Sequence, residues 1–480
     1  MANNSALAVE ENGLNVIPES ERHGSPRDQF WPWAASNVSI FGISMAAWIL
    51  GFGLSFGQAV VAGIVGIVFS FALVGIIALA GKRGSAPTLV LSRATFGVHG
   101  NALPTIVSYL LLVGWETVLV ALGVIATSTV VDRLGGGNSD AVKIAAFVVI
   151  IGVVIASGVF GFKFIMRIQK WITLASVALT AVFVVLSASA LDFSKITAAP
   201  AGAPAVLVAG IIYAMTSFGL GWVNGGADYS RYLPRTSSSK GIFGWTTFGA
   251  AVAPAILVVY GFMLALSNAD VAKNIGSDPI GALTAVLPTW FLVPFIVLTL
   301  LGFMGGAILD IYSSGLNLLT LGLKVKRYQA AAVDGVLMTV GVFFFVFSNA
   351  GGNFFWPFQA GLYMLGVPMA AWAGIFIADL LLRKKDYDDA SLYSASGRYG
   401  SVNFVAVGTM VLATVIGYGF ISSPDTSLTF TTWEGYLYGV FGVNGDSSWY
   451  YSNIGVFIAL VIGFVGQYLL GRSAVERQEK

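Results

Sequence analysis

The chain contains no cysteine among its 480 residues, and its two histidines are His23 and His99. Without thiols it forms no disulfide, holds no cysteine-based metal site and has no thiol nucleophile. It also lacks the HExxH pattern of zinc proteases and the glycine-rich phosphate loop of ATP-driven proteins. Charged residues make up 10% of the chain, against about a quarter in soluble globular proteins. We therefore expect no enzyme activity, no resident metal and no cofactor.

Apolar residues fill most of the sequence. The chain is 56% hydrophobic, has a mean hydropathy of +0.82 and contains 58 glycines. A membrane-spanning helix needs about 20 mostly apolar residues, and glycine lets such helices approach closely. We predict an all-α polytopic membrane protein with twelve spans, at 34–53, 57–80, 102–131, 142–161, 170–190, 204–223, 244–267, 291–323, 330–348, 355–382, 403–421 and 453–471.

The basic residues are divided unevenly between the two sides that these spans define. With the N-terminus inside, 21 of the 25 Lys and Arg lie on its side of the membrane and four on the other. Cytoplasmic loops carry the excess of positive charge in membrane proteins. We therefore predict cytoplasmic tails at 1–31 and 473–480, in a plasma membrane. The short tails and loops favour a bacterial inner membrane.

Two of the apolar runs are interrupted near their middles. Ser39–Ser44 (SIFGIS) in the first run and Thr216–Gly221 (TSFGLG) in the sixth both centre on a Phe-Gly pair. Paired interruptions in corresponding halves of a transporter indicate a substrate site at the membrane midplane. The pattern then predicts five-helix repeats at 32–190 and 204–383, followed by two C-terminal helices at 402–472. Chance is the alternative, since glycine is common in membrane helices.

Two carboxylates lie inside apolar runs, Glu116 in the third and Asp310 in the eighth. An ionised carboxylate at a helix centre costs about 2.5–3.5 kcal/mol, and burial favours the neutral acid. Both are therefore candidates for the substrate site and for reversible protonation in a proton-coupled carrier. The alternative is a permanently protonated group bonded to a neighbouring carbonyl. Asp334 and Asp379 lie near basic residues in sequence, and we expect surface ion pairs there.

Trp115 directly precedes Glu116, near the middle of its run. Tryptophan usually belongs to the membrane interface or to helix packing, but a mid-span indole has no headgroup to meet. Stacking on a flat ring is worth about 1–3 kcal/mol in nucleobase contacts. Trp115 is therefore a candidate ligand-stacking wall.

The segment after the sixth run carries a specific motif. Trp222–Pro234 reads WVNGGADYSRYLP and is followed by RTSSSKG, while Ile17–Gly24 (IPESERHG) and Trp31–Asn37 (WPWAASN) lead into the first run. Together they resemble the purine–cytosine permeases of the nucleobase:cation symporter-1 family, over essentially the whole chain. The resemblance implies a LeuT-like fold of two inverted five-helix repeats plus two C-terminal helices, with alternating access around a central site. It also implies a flat, uncharged, amide-rich heterocycle as substrate.

The same resemblance implies roles for individual residues. Trp115 would stack on one face of the ring, Phe218 would cover the other, and Ser217 would offer a hydrogen bond. The broken first span would add backbone and small polar groups, from Ser44, Ile43 and Met45.

Two departures from the family pattern bear on ligand and coupling ion. Leu119 stands where several members carry an amide side chain, so Glu116 is a further candidate for polar recognition. Sodium-coupled members place hydroxyls in the eighth span, where this chain has Gly305 and Gly306. Ser313 and Ser314 would restore hydroxyls only if the alignment shifts. Because a hard cation prefers oxygen ligands, we expect proton coupling over sodium coupling.

The pair Asp228 and Arg231 lies three residues apart after the sixth run. We expect it to be an exposed pair or a helix cap that holds the inner gate or its loop, without touching the ligand.

These observations predict a secondary active symporter that imports a nucleobase such as cytosine or a purine. The alternative is a carrier of the same fold for allantoin, a hydantoin, pyridoxine or thiamine. An intramembrane enzyme would need a catalytic cluster, and a channel would need a continuous polar pore. We expect a small-molecule substrate and the lipid bilayer as partners. The net charge of +2 argues against nucleic acid, and we infer no obligate protein partner.

Overall fold

The computed structural model describes residues 9–347, 355–423 and 429–480. This part of the chain is helical and contains no strand. Its thirteen principal helices are α1 Phe30–Asn37, α2 Phe41–Leu50, α3 Phe56–Gly84, α4 Ala102–Arg133, α5 Asp140–Phe160, α6 Phe162–Ser187, α7 Pro204–Ser217, α8 Ser239–Ser267, α9 Leu292–Thr320, α10 Arg327–Phe347, α11 Phe355–Leu382, α12 Phe404–Tyr418 and α13 Gly455–Leu470.

Each predicted apolar run coincides with one of these helices or, for the first run, with the pair α1 and α2. Nine helices in the described ranges are long and apolar enough to cross a membrane, and up to eleven spans result if each of two bent pairs counts as one. The helix α12 is apolar but has only 15 residues. The fold class is as predicted, whereas the number of twelve crossings stays a prediction.

The first run is broken between α1 and α2, which meet at a bend of 67°. The Asn37 side-chain amide donates to the Trp33 carbonyl oxygen at 2.9 Å, and the Ser36 hydroxyl donates to the same oxygen at 3.2 Å. Short polar side chains that bond to backbone groups in this way compete with the helical hydrogen bonds. The break therefore falls at the N-terminal edge of the predicted interruption, and Gly42 lies within α2.

The second break is where the sequence predicted it. The helix α7 ends at Ser217, Phe218 has φ −107° and ψ −93°, and Gly219–Gly225 continues as a 3-10 helix. A break in a membrane helix frees backbone groups that need new partners. The Gly219 amide finds one in the Ser70 hydroxyl of α3, at 3.1 Å.

Helices at corresponding places in the two predicted repeats pack against each other, α3 on α8 and α4 on α9, with α1 between α8 and α9. Glycine permits the close approach of α9 to α1. A Cβ added to Gly305 of α9 would lie 2.4 Å from the Ala35 carbonyl oxygen of α1, so any side chain there would push α1 away. The packing has the pairing that a five-plus-five repeat requires, and the repeat itself stays a prediction.

Candidate functional site

A cavity of about 60 Å³ lies where the two helix breaks face α4 and α9. Ligand pockets usually measure about 300–1,000 Å³, so the walls must move apart before a ring enters. Among the described residues, no side chain that lines the cavity is charged. The lining residues are Ser36, Asn37, Ser39, Phe41, Gly42, Met45, Trp115, Leu119, Ser217, Phe218, Trp222 and Gly302.

Trp115 forms one aromatic wall, near the middle of α4. Its ring meets the edge of Phe358 at a centroid distance of 5.4 Å and an interplanar angle of 83°. A Cβ added to Gly221 would lie 2.9 Å from the indole Nε1, which shows how closely the second break packs against the indole. These neighbours on two sides fix the orientation of the Trp115 ring at the cavity.

The second break provides two further walls. Phe218 lies at the break itself, and Trp222 lies one turn further on, with its ring perpendicular to that of Trp33 at 5.9 Å. Aromatic rings on several sides and hydroxyls from Ser39 and Ser217 give the cavity an apolar body with a polar edge. Such a site suits a flat ring that carries a few hydrogen-bonding groups.

Four residues predicted as substrate ligands, Trp115, Ser217, Phe218 and Met45, line this one cavity. Their role in binding stays a prediction. Sequence reasoning missed other lining residues, above all Ser36 and Asn37 at the end of α1 and Trp222 after the second break. The signal was available, since all three lie in the quoted segments WPWAASN and WVNGGADYSRYLP.

Ser44 and Ile43, which were also predicted as ligands, do not line this cavity. The Ser44 hydroxyl donates to the carbonyl oxygen of Pro279, and the backbone of Ile43 packs against Gly261 of α8. Both lie in α2 after the break. Because the break precedes them, the helix directs these two residues away from the cavity.

Glu116 and Asp310 are also outside the cavity. Glu116 is fully buried and Asp310 is 1% exposed, and the Glu116 carboxyl lies near those of Asp310 and Asp334 between α4, α9 and α10. Glu116 is therefore behind the Trp115 wall, on another face of α4. Polar recognition by Glu116 at the cavity, one of the expected roles, has no support in this arrangement.

Asp334 corrects a second expectation. It was predicted to form a surface ion pair, but it is fully buried. Its Oδ1 accepts a hydrogen bond from the Tyr109 hydroxyl at 2.9 Å, and its Oδ2 accepts one from the Ser314 hydroxyl. Asp379 does form its expected pair, with Arg383 Nε at 2.7 Å, although that pair is buried and not on the surface.

Where α9 crosses the first break, α9 carries Gly305 and Gly306, which have no side-chain hydroxyl. The Gly305 carbonyl oxygen accepts a hydrogen bond from the Gln169 side-chain amide of α6 at 2.9 Å, and Gln169 is fully buried. Within the described ranges, no group of three or more His, Asp or Glu side chains could hold a metal ion.

Asp228 and Arg231 are not exposed, contrary to expectation. They are 2% and 0% exposed, because each is bound by a different part of the chain. Asp228 accepts hydrogen bonds from the Thr88 amide at 2.7 Å and the Thr88 hydroxyl at 2.8 Å. Arg231 donates to the Tyr312 hydroxyl at 2.8 Å and lies 3.1 Å from the Glu10 carboxylate.

Glu10, in the N-terminal segment, connects several helices at the face where that segment lies. It accepts hydrogen bonds from the Tyr232 hydroxyl at 2.6 Å and the Phe162 amide at 2.8 Å, and it lies 3.4 Å from Arg327 Nε. With Arg231, these contacts join the start of α6, the start of α10 and the segment after α7. Sequence reasoning did not single out Glu10, since nothing local marks a contact between residues more than two hundred positions apart.

A central cavity between two broken helices, within a bundle of apolar helices, is the arrangement typical of a membrane transporter. The structure superposes on Mhp1, a nucleobase-cation-symport-1 family transporter solved in a closed conformation with bromovinylhydantoin bound, with a TM-score of 0.70 and 18% identity over 99% of each chain. This similarity shows that the two proteins share a fold.

The sequence pattern of the family described as permeases for cytosine/purines, uracil, thiamine and allantoin matches residues 16–441, and the chain belongs to that family. It is 26% identical over 474 residues to YxlA of Bacillus subtilis, a protein whose name describes it as a purine-cytosine permease. The alignment covers 96% of each chain. It is 22% identical over 273 residues to the vitamin B6 transporter TPN1 of Saccharomyces cerevisiae, covering 54% of this chain and 45% of TPN1. The protein is a permease and not an enzyme.

Proposed function

We propose that the protein is a proton-coupled symporter that imports a neutral, planar heterocycle, such as cytosine or a purine, by alternating access around the central cavity. The observation that carries the proposal is the cavity itself, which lies at both helix breaks with Trp115 and Phe218 in its walls. A bound ring would stack against these side chains, and the hydroxyls and freed backbone groups of the breaks would meet its polar edge.

The uncharged lining favours a neutral cargo. A cationic ligand such as thiamine would need a carboxylate in the cavity wall to balance its charge. The two candidate carboxylates, Glu116 and Asp310, do not line the cavity. Pyridoxine is the second candidate, because the chain is similar to a vitamin B6 transporter over half its length. Allantoin and hydantoins also fit an uncharged site.

Coupling to protons is supported by the crossing of α9 with α1. A sodium ion held there would need several oxygen ligands. Gly305 and Gly306 offer no hydroxyl, and the Gly305 carbonyl oxygen already accepts the Gln169 amide. The buried amide thus uses an oxygen that a cation would otherwise coordinate.

The face that carries the N-terminal segment is, in this proposal, the cytoplasmic side of a plasma membrane, as the distribution of Lys and Arg favours. Arg231, Asp228 and Glu10 then hold the inner gate closed. Opening the cavity toward the cytoplasm would require the contacts between Glu10 and Arg231 to separate, so these residues set the population of the inward-open state and do not contact the ligand.

Competition binding tests the cargo assignment. Purified protein is equilibrated with labelled cytosine and challenged with unlabelled adenine, guanine, hypoxanthine, allantoin, pyridoxine and thiamine. We expect neutral planar rings to compete and thiamine to fail. Displacement of labelled cytosine by thiamine, or a failure of every nucleobase to bind, would show that the cargo assignment is wrong.

A further inference from the structure

Three acidic side chains from three helices lie in one buried region of the protein, behind the Trp115 wall. Glu116 of α4 and Asp334 of α10 are fully buried, and Asp310 of α9 is 1% exposed. Glu116 lies close to both partners. No Lys, Arg or His side chain in the described ranges pairs with any of the three, and the nearest basic residue of α10, Arg327, is bound by Glu10.

Hydrogen bonds divide these groups into two kinds. Asp334 accepts from two hydroxyls, Tyr109 and Ser314, and hydroxyl donors stabilise the ionised form of a carboxyl group. Both oxygens of Glu116 are buried without a hydrogen-bond partner in the described part of the chain, which favours its neutral, protonated form. Glu116 lies beside Asp334, and two ionised carboxylates are both acceptors, so only a proton on one of them would join the two groups in a hydrogen bond.

We propose that Glu116 and Asp334 share the transported proton, in a site separate from the substrate cavity. This inference rests on the proposed proton symport. Two carboxylates at close range in a dry interior do not both ionise, so the pair retains one proton and carries one negative charge. Asp310 is the third acidic group beside the pair, and its charge would further disfavour the loss of that proton.

The groups that face this pair come from each helix around it. Tyr109 is on α4, Asp310 and Ser314 are on α9, and Tyr229, in the segment after α7, lies close to Asp310. Tyr109 and Ser314 act as positioning residues, because they hold Asp334 and stabilise its charge without taking the proton.

A second group of buried polar side chains lies next to the pair along α4 and α9. Ser108, the neighbour of Tyr109, accepts hydrogen bonds from the Asn317 amide at 2.6 Å and the Asn224 amide at 2.7 Å. Asn317 lies one turn beyond Ser314 on α9. These buried polar side chains lie between the pair and the proposed cytoplasmic side.

The pair is mechanically linked to the cavity through two helices. Trp115 and Glu116 are neighbours on α4, and α9 carries Gly302 at the cavity and Ser314 at the pair. A movement of α4 and α9 against α10 would change the distance between Glu116 and Asp334, and with it the affinity for the proton. Because such coupling is reciprocal, protonation would change substrate affinity by the same factor.

Two transport assays on proteoliposomes test the assignment. One measures cytosine accumulation driven by a pH gradient, and the other measures exchange of labelled for unlabelled cytosine without a gradient. For Glu116→Gln and Asp334→Asn we expect driven accumulation to fall about tenfold, a typical coupling factor, while exchange falls much less. The matched control is Asp192→Asn, an acidic residue in a loop between α6 and α7, which should leave both assays unchanged.

The pH dependence of uptake by Tyr109→Phe distinguishes an effect on proton affinity from a purely structural role of Tyr109. Removal of one hydroxyl destabilises the ionised Asp334, so the proton is retained to higher pH. The pH of half-maximal driven uptake should rise by about one unit, the shift expected from loss of one such stabilising contact. An unchanged pH profile would overturn the role of Asp334.

The outcomes separate the two proposals. Retained pH-driven accumulation in both carboxyl variants overturns the shared-proton site and leaves proton symport intact. A wild-type protein that accumulates cytosine only with a sodium gradient, or transports no heterocycle, overturns the proposed function itself.

Discussion

Replacement of Trp115 by alanine is the sharpest test of the cavity as the substrate site. The structure places this indole in the cavity wall beside the second break, where it would cover one face of a bound ring. Stacking of a base on an aromatic side chain is worth about 1–3 kcal/mol, and 1.4 kcal/mol corresponds to a tenfold change in affinity. Trp115→Ala should therefore weaken cytosine binding roughly 5- to 150-fold.

Two further variants separate stacking from general damage. Trp115→Phe keeps a ring against Phe358 and should lose less affinity than the alanine variant. Gly221→Ala keeps the Trp115 side chain but adds a Cβ 2.9 Å from its Nε1, which displaces the ring and should also weaken binding.

The matched control removes an indole that does not face the cavity. Trp171 on α6 is 65% exposed on the surface of the bundle, and Trp171→Ala should leave affinity within about twofold of wild type. The assay is equilibrium binding of labelled cytosine to purified protein, with thermal unfolding as the check on folding. Wild-type affinity in a well-folded Trp115→Ala protein would refute the assignment of this cavity.

Three other perturbations have defined outcomes. Gly305→Ala places a Cβ 2.4 Å from the Ala35 carbonyl oxygen, so it should lower thermal stability by an overpacking cost of about 1–3 kcal/mol, whereas Gly152→Ala, with open space around it, should not. Glu10→Gln should weaken the proposed inner gate, and a single cysteine introduced at the cavity of this cysteine-free chain should then be labelled about tenfold faster from the N-terminal side, as expected for loss of a charge-assisted hydrogen bond; unchanged labelling would contradict the gate. Burial raises the pKa of Glu434 to about 7, so the folded state binds that proton more tightly and stability should decrease as pH rises from about 4.5 to 7, a decrease that Glu434→Gln should remove in pH-dependent thermal unfolding.

Sequence reasoning located the helices because the bilayer imposes a length on them. Runs of about 20 apolar residues are rare in soluble chains, and each such run here became a helix or a broken pair. The second break was also placed correctly, since Phe218 and the glycines that follow it mark a local departure from the helix. Trp115 and Phe218 reached the cavity as expected because both are tied to recognisable segments.

The first break was harder to place, and two of the three ligands predicted from the first span do not line the cavity. It is produced by Asn37 and Ser36, whose side chains bond back to the Trp33 carbonyl, and not by Gly42. A shift of a few residues along a helix rotates every side chain onto another face. Ser44 and Ile43 were therefore predicted at the cavity but lie against other parts of the protein.

The acidic residues show what local sequence does not contain. Asp334 was expected to pair at the surface because Arg327 is nearby in the chain, but Arg327 lies beside Glu10. Glu10 and Arg327 are separated by most of the length of the sequence. Because Arg327 pairs with Glu10, Asp334 accepts hydrogen bonds from the hydroxyls of Tyr109 and Ser314 instead. Its position beside Glu116 depends on the tertiary structure and has no local sequence signal.

The central claim is that this permease accumulates a neutral heterocycle by coupling its movement to protons. The most direct test reconstitutes the purified protein into proteoliposomes. Uptake of labelled cytosine and hypoxanthine is then measured under an imposed proton gradient, an imposed sodium gradient, or neither. The account predicts accumulation with the proton gradient that an uncoupler abolishes and that sodium does not replace. Accumulation that follows the sodium gradient and is unaffected by the uncoupler would contradict it.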